Sequence, residues 1–347
     1  MLETLTDNQC RWLRSGADDD VVLSCRVRLA RNIAGYPFLT RADDREVARI
    51  EELLRSKIMG LPPHADLEYH RLDGMDSVLR QLLVERHLIG QDHADADWER
   101  GVAFASDESM SLLVNEEDHL RMQVFGAGLS LETAWEGVRE LDEALAQIIP
   151  FAFSARYGYL TACPTNVGTG MRAGVMVHLP ALVMAREMEK VIQLCQDSDL
   201  ALRGLYGEGS HAAADLYQLS NQVTLGRKEE EIISGVDAAV RRIIEREREA
   251  RRQFFHQDQP QLTGRVKRAL ELLRSATRLS SEESLNLLSQ VRLGAELDLL
   301  DGITPEGVNR LLLLTLPAHL QTIEGRETDR QRRNALRAEY LRKQLVN

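Results

Sequence analysis

Three adjacent acids, Glu116, Glu117 and Asp118, stand in the segment NEEDHLR. The apolar run SLLV before them and the alternating run HLRMQVF after them both have the character of strands, so the acids are expected in the bend of a hairpin. Three carboxylates held close together destabilise the folded chain unless cations lie opposite them. We therefore expect positive groups near this turn; a solvated, charged turn without chemistry is the alternative.

Arginines recur at strand-like positions where burial is expected. Residues i and i+2 of a strand share a face, so the two arginines of SCRVR are expected to point the same way. Their planar forks bind phosphate oxygens in pairs and spread the charge of a transferring phosphoryl group, so a cleft that gathers them would clamp a polyphosphate. Scattered surface ion pairs are the alternative for any one of them. The five positions are Arg26, Arg28, Arg121, Arg172 and Arg203.

The stretch CPTNVGTGMRAG, residues 163–174, lies between two strand-like runs. Its three glycines permit a tight loop whose backbone amides could bind an anion. The stretch is not a Walker A loop, and its GxGxxxG spacing misses the dinucleotide pattern by one residue. A glycine loop with a purely structural role is the alternative.

Composition restricts the class of protein. The 347 residues can form one large domain and a smaller one, and 44% hydrophobic with 28% charged residues is typical of a soluble globular protein. No apolar run is long enough for a membrane span, and the acidic start MLETLTDNQCRWL does not resemble a secretory signal. Four cysteines without metal or disulfide spacing fit a reducing compartment, so we expect a cytoplasmic protein. A net charge of −11 opposes binding to nucleic acid.

The elements that must position these residues alternate as hairpins and strand pairs with helices between them. This order predicts an α+β fold, a mostly antiparallel sheet flanked by helices, in a domain of residues 1–256. QDQP, at 257–260, is predicted to be a linker, and amphipathic helices in 261–347 are predicted to form a small all-α domain of their own. Strands are predicted over 21–33, 101–106, 111–115, 119–125, 157–163, 173–179, 199–206 and 214–223, and helices in the first domain over 43–58, 76–89, 131–149, 182–196 and 228–253.

Four motifs over roughly residues 20–250 resemble the catalytic domain of the ATP:guanidino phosphotransferases, the phosphagen kinases, in the family's order. They are SCRVRLARN, VNEEDHLRM, CPTNVGTGMRAGV, and RGLYGEGS followed by LSNQVTLG. The resemblance implies transfer of the ATP γ-phosphate to a guanidino nitrogen. Mg²⁺ would be held mainly by ATP oxygens and water, without a dense metal site in the protein.

Matched residue by residue, the resemblance implies a catalytic group of Glu117, Glu208 and Cys163. A guanidinium is a poor nucleophile until a base takes its proton, which we assign to Glu117, with Glu208 as the clamp that orients the cation. Cys163 is expected to act electrostatically as a thiolate. The implied nucleotide contacts are Ser24, Cys25, Arg26, Val27, Arg28, His87, Arg121, Arg172, Ala173, Gly174, Val175, Met176, Arg203, Gly204, Leu205, Tyr206 and Gly207. For His87 a partly buried helix histidine is the alternative, and Gly174 and Met176 stand where small-molecule members have Ser and His.

The resemblance also bears on the substrate. Members that act on free creatine or arginine have a helical domain before the catalytic one, whereas SCRVR begins here at residue 24. We therefore expect an open guanidine site for arginine side chains of proteins, an arrangement that resembles the bacterial protein arginine kinases. A kinase for a small guanidino compound and a non-enzymatic adaptor are the alternatives.

Further expectations come from the same resemblance. It implies a homodimer whose protein substrates are marked for degradation by an unfoldase-protease, with a zinc-binding activator protein and a stress-response transcriptional repressor as partners. It also implies phosphoarginine binding at Asp329 and Arg332 in TDRQRR, for which an ordinary intrahelical ion pair is the alternative.

Overall fold

The computed structural model describes Leu5 and residues 10–61, 66–204 and 213–345. The strands are β1 (Val22–Arg31), β2 (Leu67–Arg71), β3 (Gly101–Ala105), β4 (Met110–Val114), β5 (Leu120–Ala127), β6 (Phe153–Ser154), β7 (Gly158–Tyr159), β8 (Met171–His178), β9 (Leu200–Gly204) and β10 (Leu216–Asn221). The helices are α1 (Asp44–Met59), α2 (Ser77–Glu85), α3 (Gln91–Asp95), α4 (Leu131–Ala146), α5 (Pro180–Met184), α6 (Met188–Asp197), α7 (Glu229–Ser275), α8 (Ser281–Glu296), α9 (Pro305–Leu314), α10 (Pro317–Glu324) and α11 (Arg330–Gln344). Among the helices so described, none is long and apolar enough to cross a bilayer.

One sheet organises the molecule, with its strands in the order β2-β3-β4-β5-β1-β8-β10-β9. Each strand runs antiparallel to its neighbours, and β6 and β7 form a separate small hairpin. The predicted α+β class with a mostly antiparallel sheet flanked by helices is confirmed.

The central strand β1 shows why the two faces of the sheet differ. Cys25, Val27 and Leu29 are buried on one face, in a core shared with α1, α4 and α7. Arg26 and Arg28 alternate with them and are only partly buried, because successive side chains of a strand point to opposite faces. The prediction that these two arginines share a face is confirmed.

The predicted linker at 257–260 is a break inside α7 and not an extended segment. Asp258 has a non-helical backbone (φ −155°, ψ 69°), and its Oδ1 accepts a hydrogen bond from the Gln261 amide at 3.0 Å. Asp258 thus caps a second helical segment, and Pro260 falls in its first turn, where a missing N–H is tolerated. The chain therefore changes direction within one residue.

The C-terminal helices form the predicted all-α region and also pack against the sheet, while the division into two domains stays a prediction. Leu23 of β1 and Leu216 of β10 belong to the same hydrophobic core as Leu285 of α8 and Leu312 of α9. In addition, Ala318 of α10 packs in a core with residues of α2, β3 and β4. The helices after the break thus cover part of the sheet and bury apolar surface against it.

Several element boundaries also differ from prediction. The helix predicted over 76–89 ends at Glu85, and the helix predicted over 182–196 is split into α5 and α6 at Arg186, whose φ is +58°. The edge strand β2, LEYHR, has no counterpart among the predicted strands, because its alternation rests on only two apolar residues, Leu67 and Tyr69, and is too short to be distinctive. Of the strand predicted over 157–163, only Gly158–Tyr159 pairs.

Candidate active site

The register of β5, β1 and β8 gathers arginines on one face. Arg28 lies opposite Arg172 of β8 and opposite Gln123 of β5, and Arg121 of β5 lies two pairs further along, opposite Ala30. Paired residues of antiparallel strands project from the same face, and neighbouring strands are only about 4.8 Å apart. With Arg26, these residues form a cationic floor of arginines on adjacent strands.

The cationic floor repels itself when no anion is bound. Burial lowers the pKa of Arg28 well below its usual value, and the charges of Arg26, Arg121 and Arg172 lower it further. Burial together with Arg121 and Arg172 lowers the pKa of Arg26 to about 10. A bound polyanion would remove this repulsion, which is the electrostatic property of a phosphate site.

Arg172 connects the floor to the remaining predicted groups. Burial lowers its pKa, as do the charges of Arg203 on β9 and Arg121, whereas Cys163 and Glu117 raise it. Arg203 reaches this region because β9 pairs with β10, which pairs with β8. The structure thus brings the predicted base, the predicted thiol, Arg121 and Arg203 into electrostatic range of Arg172.

The acidic turn faces the floor through Arg121. Its Nη1 donates to Glu116 Oε1 at 2.7 Å, and its Nη2 donates to Glu117 Oε2 at 3.1 Å. The expectation of a cation opposite the acids is confirmed. Burial raises the pKa of Glu117, Asp118 and Glu116 raise it further, and Arg121 lowers it. A carboxylate with a raised pKa is a better proton acceptor, and the Glu117 side chain is 44% exposed and thus open to a substrate.

The third acid has a structural role. Asp118 is fully buried, and its Oδ1 accepts hydrogen bonds from Asn32 Nδ2 and from the Ala162 amide, both at 2.6 Å. His119 is buried beside it, and its Nδ1 accepts from the amide of Ile33 at 3.0 Å. Asp118 therefore fixes the acidic turn against the segment that leads to Cys163.

The glycine loop uses its amides internally. The amides of Gly168 and Gly170 donate to the carbonyls of Tyr159 and Asn166, at 3.2 and 3.0 Å. Gly168 has φ +113°, and a side chain there would meet the carbonyl oxygen of Thr224 at 2.7 Å. These contacts give Gly168 and Gly170 a structural role, and anion binding by the rest of the stretch stays a prediction. The loop presents Cys163, whose Sγ lies 3.0 Å from Thr165 Oγ1.

An aromatic pocket adjoins the cationic floor. Its walls include Trp12, His87 and Phe125, with Arg26 at its edge. The Trp12 ring lies 5.3 Å from the His87 ring and 6.3 Å from the Phe125 ring, and the Arg26 guanidinium lies 5.6 Å from the centre of the Phe125 ring. A flat heterocycle could stack here while its phosphates reach the arginines.

His87 does not belong to a helix, so the alternative of a partly buried helix histidine is wrong. It follows the end of α2 with φ +60°, a conformation uncommon outside glycine, and Gln123 Nε2 donates to its carbonyl at 3.1 Å. Burial lowers the pKa of His87 to about 4, and the Arg26 charge adds to the shift. The ring is therefore neutral at physiological pH and can stack on a neutral base.

The remaining predicted contacts divide by face. Ser24, Gly174 and Met176 lie in register on the cleft face, whereas Cys25, Val27, Ala173 and Val175 are buried and can contribute only backbone or packing. Gly204 ends β9 opposite Tyr217. Leu205, Tyr206, Gly207 and Glu208, the predicted guanidinium clamp, lie outside the described residues.

Sequence reasoning gave Glu116 no individual role and missed three residues of the site. Glu116 shares Arg121 with Glu117, and Gln123 joins Arg26 to His87, since its Oε1 accepts from Arg26 Nη1 at 3.4 Å. The period of two along β5 places Gln123 on the face of Arg121 and could have indicated it. The same period places Phe125 on this face, opposite Arg26, whereas Trp12 reaches the pocket only through tertiary packing.

The predicted phosphoarginine contacts are engaged elsewhere in the structure. Asp329 caps α11, with its Oδ1 accepting from the Arg332 amide at 2.7 Å. The Arg332 guanidinium donates to Glu324 of α10 at 2.7 Å, so its ion pair is between helices and not within one. Phosphoarginine binding at these two residues stays a prediction.

Comparisons with known proteins agree with this geometry. Residues 49–250 match the family described as ATP:guanido phosphotransferase, C-terminal catalytic domain, and residues 259–347 match the C-terminal domain of the protein-arginine kinase McsB. A protein-arginine kinase of Halothermothrix orenii is 41% identical over 346 residues, which cover 99% of this chain and 98% of that protein.

The fold of this chain is also similar to those of solved structures. The duplicated taurocyamine kinase of Schistosoma mansoni, with transition state analog components bound, has a TM-score of 0.62 and 27% identity over 71% of this chain and 35% of its own. Lombricine kinase has a TM-score of 0.59 and 25% identity over 70% of each chain. The chain therefore belongs to the ATP:guanido phosphotransferase family and, within it, to the protein-arginine kinases.

Proposed function

We propose that this protein transfers the γ-phosphoryl group of ATP to the guanidino group of arginine side chains in proteins. The observation that carries the proposal is the Arg121 fork, which joins a cationic floor suited to phosphates to the carboxylate of Glu117, 3.1 Å away. Arg121 thus lies between the arginines that would bind the phosphate donor and the carboxylate that would activate the guanidino acceptor.

The chemical step follows from these groups. A terminal nitrogen of the substrate guanidinium forms the N–P bond while the bond from the γ-phosphorus to the bridging oxygen breaks, and ADP leaves with that electron pair. The guanidinium proton passes to the Glu117 carboxylate, whose raised pKa favours acceptance. Arg28, Arg121 and Arg172 hold the phosphates in line and stabilise the charge that spreads over the phosphoryl oxygens.

Magnesium fits this arrangement as a partner of the nucleotide. Within the described ranges no group of three or more His, Cys, Asp or Glu side chains could hold a metal ion, and the floor is cationic. ATP oxygens would hold the ion, and when bound it neutralises phosphate charge. Arg26 and Arg28 would hold the phosphate oxygens that remain.

Two features support a protein substrate. The relatives named protein-arginine kinase match over nearly the whole chain, including the C-terminal helices. In addition, Glu117 is substantially exposed, so an arginine presented on another polypeptide can approach it. The rival is a small guanidino substrate, because the similar solved structures include taurocyamine and lombricine kinases.

The test is incubation with Mg²⁺, ATP and an arginine-rich protein, followed by mass spectrometry for acid-labile phosphate on arginine. A parallel arm supplies free arginine, and Glu117→Gln serves as the matched inactive control. Phosphoarginine on the protein at rates well above those on free arginine is expected. Faster turnover of free arginine would favour the rival, and ATP binding without either product would refute the proposal. With 38 arginines in the chain, modification of the kinase itself is also expected.

We further infer a cellular role from family resemblance. The phosphorylated proteins would be marked for an unfoldase-protease and would include a stress-response repressor. The kinase itself would be a homodimer and would bind a zinc-binding activator protein. Four free cysteines support a reducing, cytoplasmic location. Faster proteolysis of a phosphorylated than of an unphosphorylated substrate by the purified unfoldase-protease would support the marking role, and equal rates would contradict it.

We also propose that the division at 257–260 separates the catalytic domain, 1–256, from a helical domain, 261–347.

A further inference from the structure

A buried carboxylate joins the end of α2 to the start of α10. Glu85 Oε1 accepts from the Ala318 amide at 2.8 Å, and its Oε2 accepts from the His319 amide at 3.1 Å. These amides are among the first of α10, which lack partners within the helix and carry the positive end of its dipole. A residue of the catalytic region therefore caps a helix of the C-terminal region.

The side chain of His319 extends this contact. Its Nδ1 donates to Glu85 Oε2 at 2.8 Å, and its Nε2 accepts from Arg86 Nη1 at 3.2 Å. Arg86 in turn binds Glu108 with two hydrogen bonds, and all four side chains are buried. Burial lowers the pKa of His319, in agreement with the neutral ring that this donor and acceptor pattern requires. Replacing any one of these side chains would leave a buried polar atom without a hydrogen-bond partner, which destabilises the contact.

Arg86 is followed in the chain by His87, whose ring forms a wall of the aromatic pocket. Its left-handed backbone, φ +60°, follows directly from Arg86, so the contacts that fix Glu85 and Arg86 also fix the turn that presents the His87 ring to Trp12. Such a backbone conformation persists only when its surroundings hold it. One side of this support is Gln123, and the other is α10.

A cavity of about 590 Å³ lies at the same junction. Trp12, Ser24 and His87 line it on the catalytic side, and Leu285, Leu312 and Leu316 line it on the side of the C-terminal helices. Trp12, Ser24 and His87 also line the aromatic pocket, so the two spaces adjoin. The C-terminal helices thus form a wall beside the pocket that would receive the nucleotide base.

We propose that Glu85 and His319 are positioning residues for the nucleotide base, through which the C-terminal helices hold His87 in place and set the shape of its pocket. This inference rests on the proposed function, because it takes ATP to be the ligand. The phosphates bind elsewhere, on the cationic floor, so the junction should affect recognition of the base and not of the triphosphate.

The test compares His319→Asn with His319→Gln. The Asn amide reaches the position of Nδ1 and can still donate to Glu85, whereas the Gln amide reaches the position of Nε2 and can still accept from Arg86. Each breaks one half of the junction. Glu85→Gln, which cannot accept from every donor around it, is the third variant. Thr322→Ala, which removes one hydrogen bond within α10, is the matched control.

Two constants are measured for each protein: the KM for ATP with an arginine-rich protein substrate, and the inhibition constant of inorganic tripolyphosphate, which has no base. Variants at Glu85 and His319 should raise the KM for ATP about tenfold with kcat within about twofold, while the tripolyphosphate constant stays within about twofold. Thr322→Ala should change neither constant. Thermal unfolding identifies any variant that fails to fold, and the folded ones decide.

The outcomes separate the two proposals. An unchanged KM for ATP in folded variants, or an equal loss of ATP and tripolyphosphate binding, would overturn the positioning role and leave the proposed function intact. A wild-type protein without saturable ATP dependence would remove the proposed function and this inference with it.

Discussion

Replacing Glu117 by glutamine is the sharpest test of the chemistry. The amide keeps the size of the side chain but cannot accept the guanidinium proton, so kcat should fall by about a hundredfold or more, or about 2.7 kcal/mol of barrier. The lost ion pair with Arg121, 3.1 Å long, is partly exposed, and Glu116 still holds Arg121 from 2.7 Å. Such a pair contributes at most about 1 kcal/mol to stability. Catalysis should therefore suffer much more than folding does.

The assay is steady-state turnover across a pH series, with urea unfolding in parallel. A base must be deprotonated to act, and burial raises the pKa of Glu117, so wild-type kcat/KM should decline as the pH falls through a value above that of an ordinary glutamate. That acid limb should vanish in Glu117→Gln. Glu116→Gln is the matched control, expected to lose less rate and to keep the limb. A Glu117→Gln enzyme with wild-type turnover, or an unchanged acid limb, would refute the assignment of the base.

Three further variants test other parts of the site. Arg28→Met relieves repulsion within the cationic floor, so calorimetry should show a higher unfolding temperature without ligand. Titration should show ATP binding weakened at least about tenfold, because one phosphate contact is lost. A lower unfolding temperature would contradict the electrostatic account. Arg121→Ala should slow single-turnover phosphoryl transfer by about a thousandfold, and a loss below tenfold would exclude a role like that of an arginine finger. Gly168→Ala should lower the unfolding free energy by about 1–3 kcal/mol, and by more than Gly226→Ala, which has a positive φ but no neighbour within 4 Å; equal losses would show that the close approach to Thr224 does not matter.

The sequence predicted those parts of the site that depend on local periodicity. Alternation along β1 correctly placed Arg26 and Arg28 on one face, and the run of acids correctly required a cation. Both follow from rules that act within a few residues, the period of two in a strand and the repulsion of neighbouring charges. The antiparallel sheet was predictable from the order of the hairpins, because the two strands of a hairpin are neighbours in the sequence.

Other parts could not be predicted because they depend on distant contacts. Helical periodicity continues through LLVERHLI, but the chain leaves the helix after Glu85, where Arg86 binds Glu108 and Glu85 binds α10. The sequence also could not show that the amides of Gly168 and Gly170 donate to the carbonyls of Tyr159 and Asn166. Tertiary partners of this kind leave no local pattern in the sequence.

The break at Asp258 has a consequence for evolution and engineering. A flexible tether tolerates insertions and deletions, but here a helix restarts one residue after another stops. Adding or removing a residue just before the break would rotate everything downstream by about 100° around the first axis. Length variation should thus be excluded at this point, and changes of angle between the two segments would have to arise by substitution alone.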